Sequence, residues 1–84
     1  MNLTITSDTN IIKVSITSGD PFGTWRKDAV LAFVYTGDRI KVETQGEIFE
    51  VANTTTTGCY VIDTVNGSAP SSLTDLYNKL IALL

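Results

Sequence analysis

The sequence predicts an α+β domain that is mostly β, with about six mainly antiparallel strands in a small sheet, sandwich or barrel and one C-terminal amphipathic helix. Short segments alternate apolar and polar residues at period two. Turn residues separate them at close intervals. After a last strand, Cys59 to Val65, the spacing changes to that of a helix.

Leu3 and Ile5 alternate with Thr4 and Thr6. Ser7-Asp8-Thr9-Asn10 is turn chemistry, and Ile12, Val14 and Ile16 then alternate with Lys13, Ser15 and Thr17. Together these predict a first hairpin. Gly19-Asp20-Pro21-Phe22-Gly23 predicts a turn, and Ser18 to Asp28 as a whole fits no regular element. Ala29 to Tyr35 is an unbroken apolar run, which predicts a strand buried on both faces.

Gln45-Gly46 separates Arg39–Glu43 from Glu47–Val51. A two-residue loop there pairs Glu43 with Ile48, Val42 with Phe49, Lys41 with Glu50 and Ile40 with Val51. That register gathers Ile40, Val42, Phe49 and Val51 on one face and sets Lys41 against Glu50 on the other, whereas a one-residue slip destroys both arrangements. Asn53 to Gly58 reads as a polar loop or a frayed strand end. The short connections argue against parallel crossovers.

Asn66-Gly67 is a turn signal, and Ser68-Ala69-Pro70 is a linker. Ser72 is the candidate N-cap of a helix over about 72–84, with Asp75 as the short-armed partner of a capping box. Leu73, Leu76, Tyr77, Leu80, Ile81 and Leu84 form its apolar stripe, and Leu83 lies off the centre of that stripe. Residues 1–84 thus read as one domain, strand-rich over 1–65.

Such a short chain buries a modest share of its surface, and domains of this size often rely on disulfides, metals or association. With one cysteine, Cys59, and no histidine, neither an intrachain disulfide nor a common zinc site can be assembled. Self-association or docking on a larger assembly is therefore the expected support. Six basic residues against nine acidic ones give no basic face for nucleic acid. No apolar run is long enough to span a bilayer, and no basic segment followed by an apolar stretch opens the chain, so neither membrane nor signal peptide is expected.

The carboxylates are scattered, and no histidine stands ready as a base for Cys59 or a serine. Glycines occur singly at turns, without a phosphate-binding pattern. No catalytic, cofactor-binding or metal-binding residue is therefore assigned, and Cys59 is expected to be a buried thiol. Phe22, Trp25 and Arg26, with Lys27 beside them, are candidate interface residues, because aromatics and arginine on a loop are typical binding anchors. The other reading folds Phe22 and Trp25 back over the core. Leu83 and Leu84 are further interface candidates at the apolar end of the helix.

The segment Val65-Asn66-Gly67-Ser68-Ala69-Pro70-Ser71-Ser72-Leu73-Thr74-Asp75-Leu76-Tyr77-Asn78-Lys79-Leu80 resembles small virion proteins of tailed phages, in particular those of the crAss-like group and related phages of Bacteroides-type bacteria. The resemblance implies a structural role in head–tail connection, tail or capsid decoration, located in the virion or in host cytoplasm during assembly. It implies no catalytic residues. Three functions are thus open: an assembly protein, a small module binding a ligand or peptide through the Phe22/Trp25/Arg26 loop, and, least supported, an enzyme.

Overall fold

The computed structural model describes residues 1–84. The chain forms β1 (Asn2–Ser7), β2 (Ile11–Ile16), β3 (Pro21–Arg26), a 3-10 turn (Lys27–Ala29), β4 (Val30–Thr36), β5 (Arg39–Thr44), β6 (Ile48–Ala52), β7 (Tyr60–Val65) and α1 (Leu73–Ile81). The strands make one mixed sheet in the order β3-β2-β1-β7-β6-β5-β4. Two antiparallel meanders, β1–β3 and β4–β6, are joined through β7, which runs parallel to both of its neighbours.

The parallel pairs correct the expectation drawn from connection length. β7 begins where β6 ends, and only Val51↔Tyr60 and Ala52↔Val61 are paired. The loop over 53–59 makes a local excursion and need not return the length of a strand. β7 then runs beside β1 from Asn2↔Val61 to Ile5↔Val65, with an irregularity after Leu3.

The seventh strand, β3, lies in the segment the sequence left unassigned. Pro21 disguises it, yet proline is tolerated on a sheet edge, where an N–H need not enter the ladder. Gly23 disguises it further. A Cβ at Gly23 would lie 2.8 Å from the Trp25 ring, so the glycine makes room for the indole.

The strand predicted over 29–35 exists as β4, but it is not buried on both faces. It forms the other sheet edge, and none of its residues is fully buried. Its apolar run is divided between an inner face, where Phe33 lies opposite Val42 and Tyr35 opposite Ile40, and positions turned away from the core. The β5–β6 hairpin has the predicted register, with Ile40↔Val51, Lys41↔Glu50, Val42↔Phe49 and Glu43↔Ile48. Thr44 closes it by donating its N–H and hydroxyl to the Glu47 carbonyl, at 2.9 and 3.0 Å.

Asn66 and Gly67 both have positive φ, 51° and 81°. They form a tight turn between Val65 and Ser68, whose backbones exchange hydrogen bonds of 2.9 and 3.1 Å. Helix α1 starts at Ser72, whose hydroxyl accepts from the Asp75 N–H at 3.0 Å. The return bond of the capping box is displaced by one residue, since the Asp75 carboxylate accepts from the Ser71 N–H at 2.9 Å.

The α-helix ends at Ile81, earlier than predicted, and the chain tightens into 3-10 geometry with Leu83 N–H donating to Leu80 O and Leu84 N–H to Ile81 O. In that geometry residues three apart eclipse. Leu83 therefore stacks on the buried side with Leu80, and Leu84 follows the exposed Ile81.

Leu3, Ile40, Val51, Ile62, Leu76 and Leu80 form the centre of a single core. The sheet curls around it until β3, four places from β6 in the order, lays Trp25 against Phe49 with ring centroids 5.3 Å apart. The sheet is nevertheless not closed, because β3 and β4 are not bonded to each other. The three-residue 3-10 turn joins these two edges at one end of the roll. There the Lys27 N–H donates to Asn10 O, and the Gln45 N–H donates to Ala29 O.

Candidate interaction surfaces

Phe22 and Trp25 are brought together, but they face the core side of the roll. Phe22 packs edge-on against Tyr60 at 5.0 Å and Phe49 at 6.2 Å, and Trp25 stacks on Phe49. The indole N–H donates to the Glu47 carboxylate at 3.1 Å. Both rings are half-buried, and their free edges remain at the surface. Arg26 points away from this cluster, on the opposite face of β3, and grips Asp28 through two bonds of 3.0 and 3.1 Å. That pair draws the Asp28 carboxyl below its ordinary range, chiefly by hydrogen bonding. Sequence reasoning placed Phe49 on the inner face of its hairpin but missed its meeting with Phe22, Trp25 and Tyr60, which depends on the curl of the whole sheet.

The two helix-end candidates separate. Leu83 is only 4% exposed and belongs to the core, which corrects its placing off the centre of the apolar stripe as an interface residue, whereas Leu84 is 57% exposed. Leu80 and Leu83 reach a small, partly open pocket of about 20 Å³, walled by Ile12, Val30, Phe33 and Thr44 among others. Its size is near the minimum for a single water, and its walls are almost wholly apolar.

A second surface was not foreseen. Leu31, at the irregular step of β4, is 63% exposed, and Ile48, opposite Glu43 on β6, is 62% exposed. The hairpin register already turned Ile48 away from the core, so its exposure was readable. Leu31 was hidden by the reading of β4 as a doubly buried strand. β4 contains no charged residue, glycine or proline, whereas the opposite edge, β3, carries Pro21, Gly23 and Arg26.

Several polar side chains outside these patches brace the fold. Arg39 bonds Asp38 at 3.0 Å, Glu50 at 3.3 Å and the Thr57 carbonyl at 2.9 Å, tying the 53–59 loop to β5 and β6. Hydrogen bonding to Asp38 raises the Arg39 pKa above its ordinary value. Cys59 is half-buried beside this cluster, and burial pushes its thiol up, against the opposing influence of Arg39. Asp63 accepts from Asn2 at 3.0 Å and Thr17 at 2.6 Å, fastening the start of β1 to β7.

No group of three or more acidic or thiol ligands is arranged to hold a metal ion. No helix is long and apolar enough to cross a membrane. Comparisons with protein-family models, curated proteins and solved structures found no match.

Proposed function

We propose that this protein is a small structural component, of the kind built into tailed-phage virions, that acts through protein–protein contacts and not by catalysis. The observation that carries the reading is the pairing of a sheet edge without charge or proline, β4, with the exposed apolar side chains Leu31 and Ile48. Natural edge strands are commonly blunted with charge, proline or bulges; β4 has only the irregular step at Leu31, and its stretch from Ala32 to Thr36 is a template for another chain. The likeness of the segment over 65–80 to small virion proteins agrees with this reading.

The alternative, a module gripping a ligand through Phe22, Trp25 and Arg26, is less favoured. Trp25 is already stacked on Phe49 and bonded to Glu47, and Arg26 faces elsewhere. The discriminating experiment is the native mass over a concentration series, with electron microscopy of any oligomer. A defined assembly supports the structural reading. A monomer at every concentration whose Trp25 fluorescence changes saturably with a sugar or peptide supports the alternative.

A further inference from the structure

We infer that two copies of this chain pair through β4, antiparallel about a two-fold axis at Phe33, and so join their sheets edge to edge. This rests on the assembly reading above and names its partner as a second copy. The two-residue loop at Gly37-Asp38 closes on Thr36↔Arg39 as a bonded pair. Alternation along the ladder then leaves the backbone N–H and C=O of Tyr35 and Phe33 directed away from β5, toward the free edge.

An axis at Phe33 sets Phe33 against Phe33 of the second copy as a bonded pair. Val34 then stands opposite Ala32 of the second copy. On the outer face, Ala32 neighbours Glu43 and Val34 neighbours Lys41 within one chain. Each row across the junction therefore runs from Glu43, over small Ala32 and Val34, to Lys41 of the second copy. The backbones at the row ends are three strand spacings apart, roughly 14 Å. Long side chains leaning across the small residues between them shorten that gap. Both rows are charge-complementary.

Moving the axis to Val34 would set Lys41 at both ends of the central row, each beside Glu50 of its own chain, and would forfeit the complementarity with Glu43. β4 itself is uncharged, so apposing it with its own copy brings no like charges face to face. The irregular step at Leu31 ends the regular ladder, confining the pairing to a short stretch and leaving Leu31 to be covered at its margin.

The test is the native mass of the full chain from micromolar to millimolar concentration, with circular dichroism confirming the fold of every variant. The wild type is expected to approach twice its 9.1 kDa mass. Val34→Lys places a charge in the middle of the junction and is expected to remain at one copy throughout. Glu43→Lys makes both rows repulsive and is expected to weaken association roughly tenfold, the scale of two exposed ion pairs. Adding Lys41→Glu reverses the rows and is expected to restore the association.

An oligomer whose mass Val34→Lys leaves unchanged overturns β4 pairing but leaves assembly through another surface. A mass that climbs beyond two copies overturns the two-fold and points to head-to-tail joining of β3 with β4. A wild-type monomer at every concentration overturns both the pairing and self-assembly.

Discussion

Trp25 and Gly23 act as one unit, since the indole occupies the space a side chain at Gly23 would need. Gly23→Ala is expected to lift the ring from Phe49 and cost about 1–3 kcal/mol, measured by chemical denaturation with a red shift of tryptophan emission. An unshifted spectrum with unchanged stability would show that the ring accommodates the methyl group. Asn66 combines two roles. Its amide accepts from Ser7 N–H and donates to the Ser7 hydroxyl, both at 2.9 Å, while its backbone takes positive φ. Asn66→Ala removes the bonds and strains the turn, an expected loss of about 2 kcal/mol. Asn66→Gly keeps the conformation and should lose less, so equal losses would discount the strain. Leu83→Ala is expected to cost about 2–4 kcal/mol, whereas Leu84→Ala should stay within about 0.5 kcal/mol. Equal effects would contradict the 3-10 turn that separates them.

At the scale of elements, α1 carries a pH-sensitive start. The Asp75 carboxyl is held below its ordinary value, first by the Ser71 N–H and also by Lys79. A carboxyl whose folded pKa is depressed stabilises the fold above its unfolded value, and that contribution is lost as pH falls through the folded pKa. Thermal stability should therefore decline below about pH 4, and Asp75→Asn should flatten part of that decline. Superimposable pH profiles would remove Asp75 from the account. The same scale explains what was legible. The β5–β6 register, the Asn66-Gly67 turn and the Ser72 cap rest on neighbours in sequence, so local pattern revealed them. β3 was concealed because its proline and glycine answer to edge position and to the Trp25 ring. The burial of β4 was overestimated because an apolar run does not tell a central strand from an edge. Of the candidate interface residues, Phe22 and Trp25 were legible as aromatics near one another. Their partners Phe49 and Tyr60, and the exposure of Leu31, depend on sheet order, which local pattern does not contain.

For the whole molecule, the two meanders share one core, so neither has an apolar centre of its own. Unfolding should be a single transition, with Trp25 emission reporting the β3 edge and far-ultraviolet circular dichroism reporting the strands and helix together. Separate midpoints would mean that β1–β3 detaches first. The curl that lays β3 over β6 makes a single transition the expected result, because opening either meander exposes the inner face of the other.

The parallel pairing of β1 with β7 also has a mechanical consequence. Tension applied between the first residue and the end of β7 pulls the two strands along their axes in opposite directions. Their hydrogen bonds are then loaded together in shear, instead of being peeled one by one. α1 follows β7 in the chain and lies outside this line of force, so the central pair should resist until it ruptures in one event. In single-molecule stretching, a load placed across the β5–β6 hairpin, whose strands can unzip bond by bond, should meet much weaker resistance. A subunit that bears tension within a larger particle would be strongest along the line joining these two strand ends.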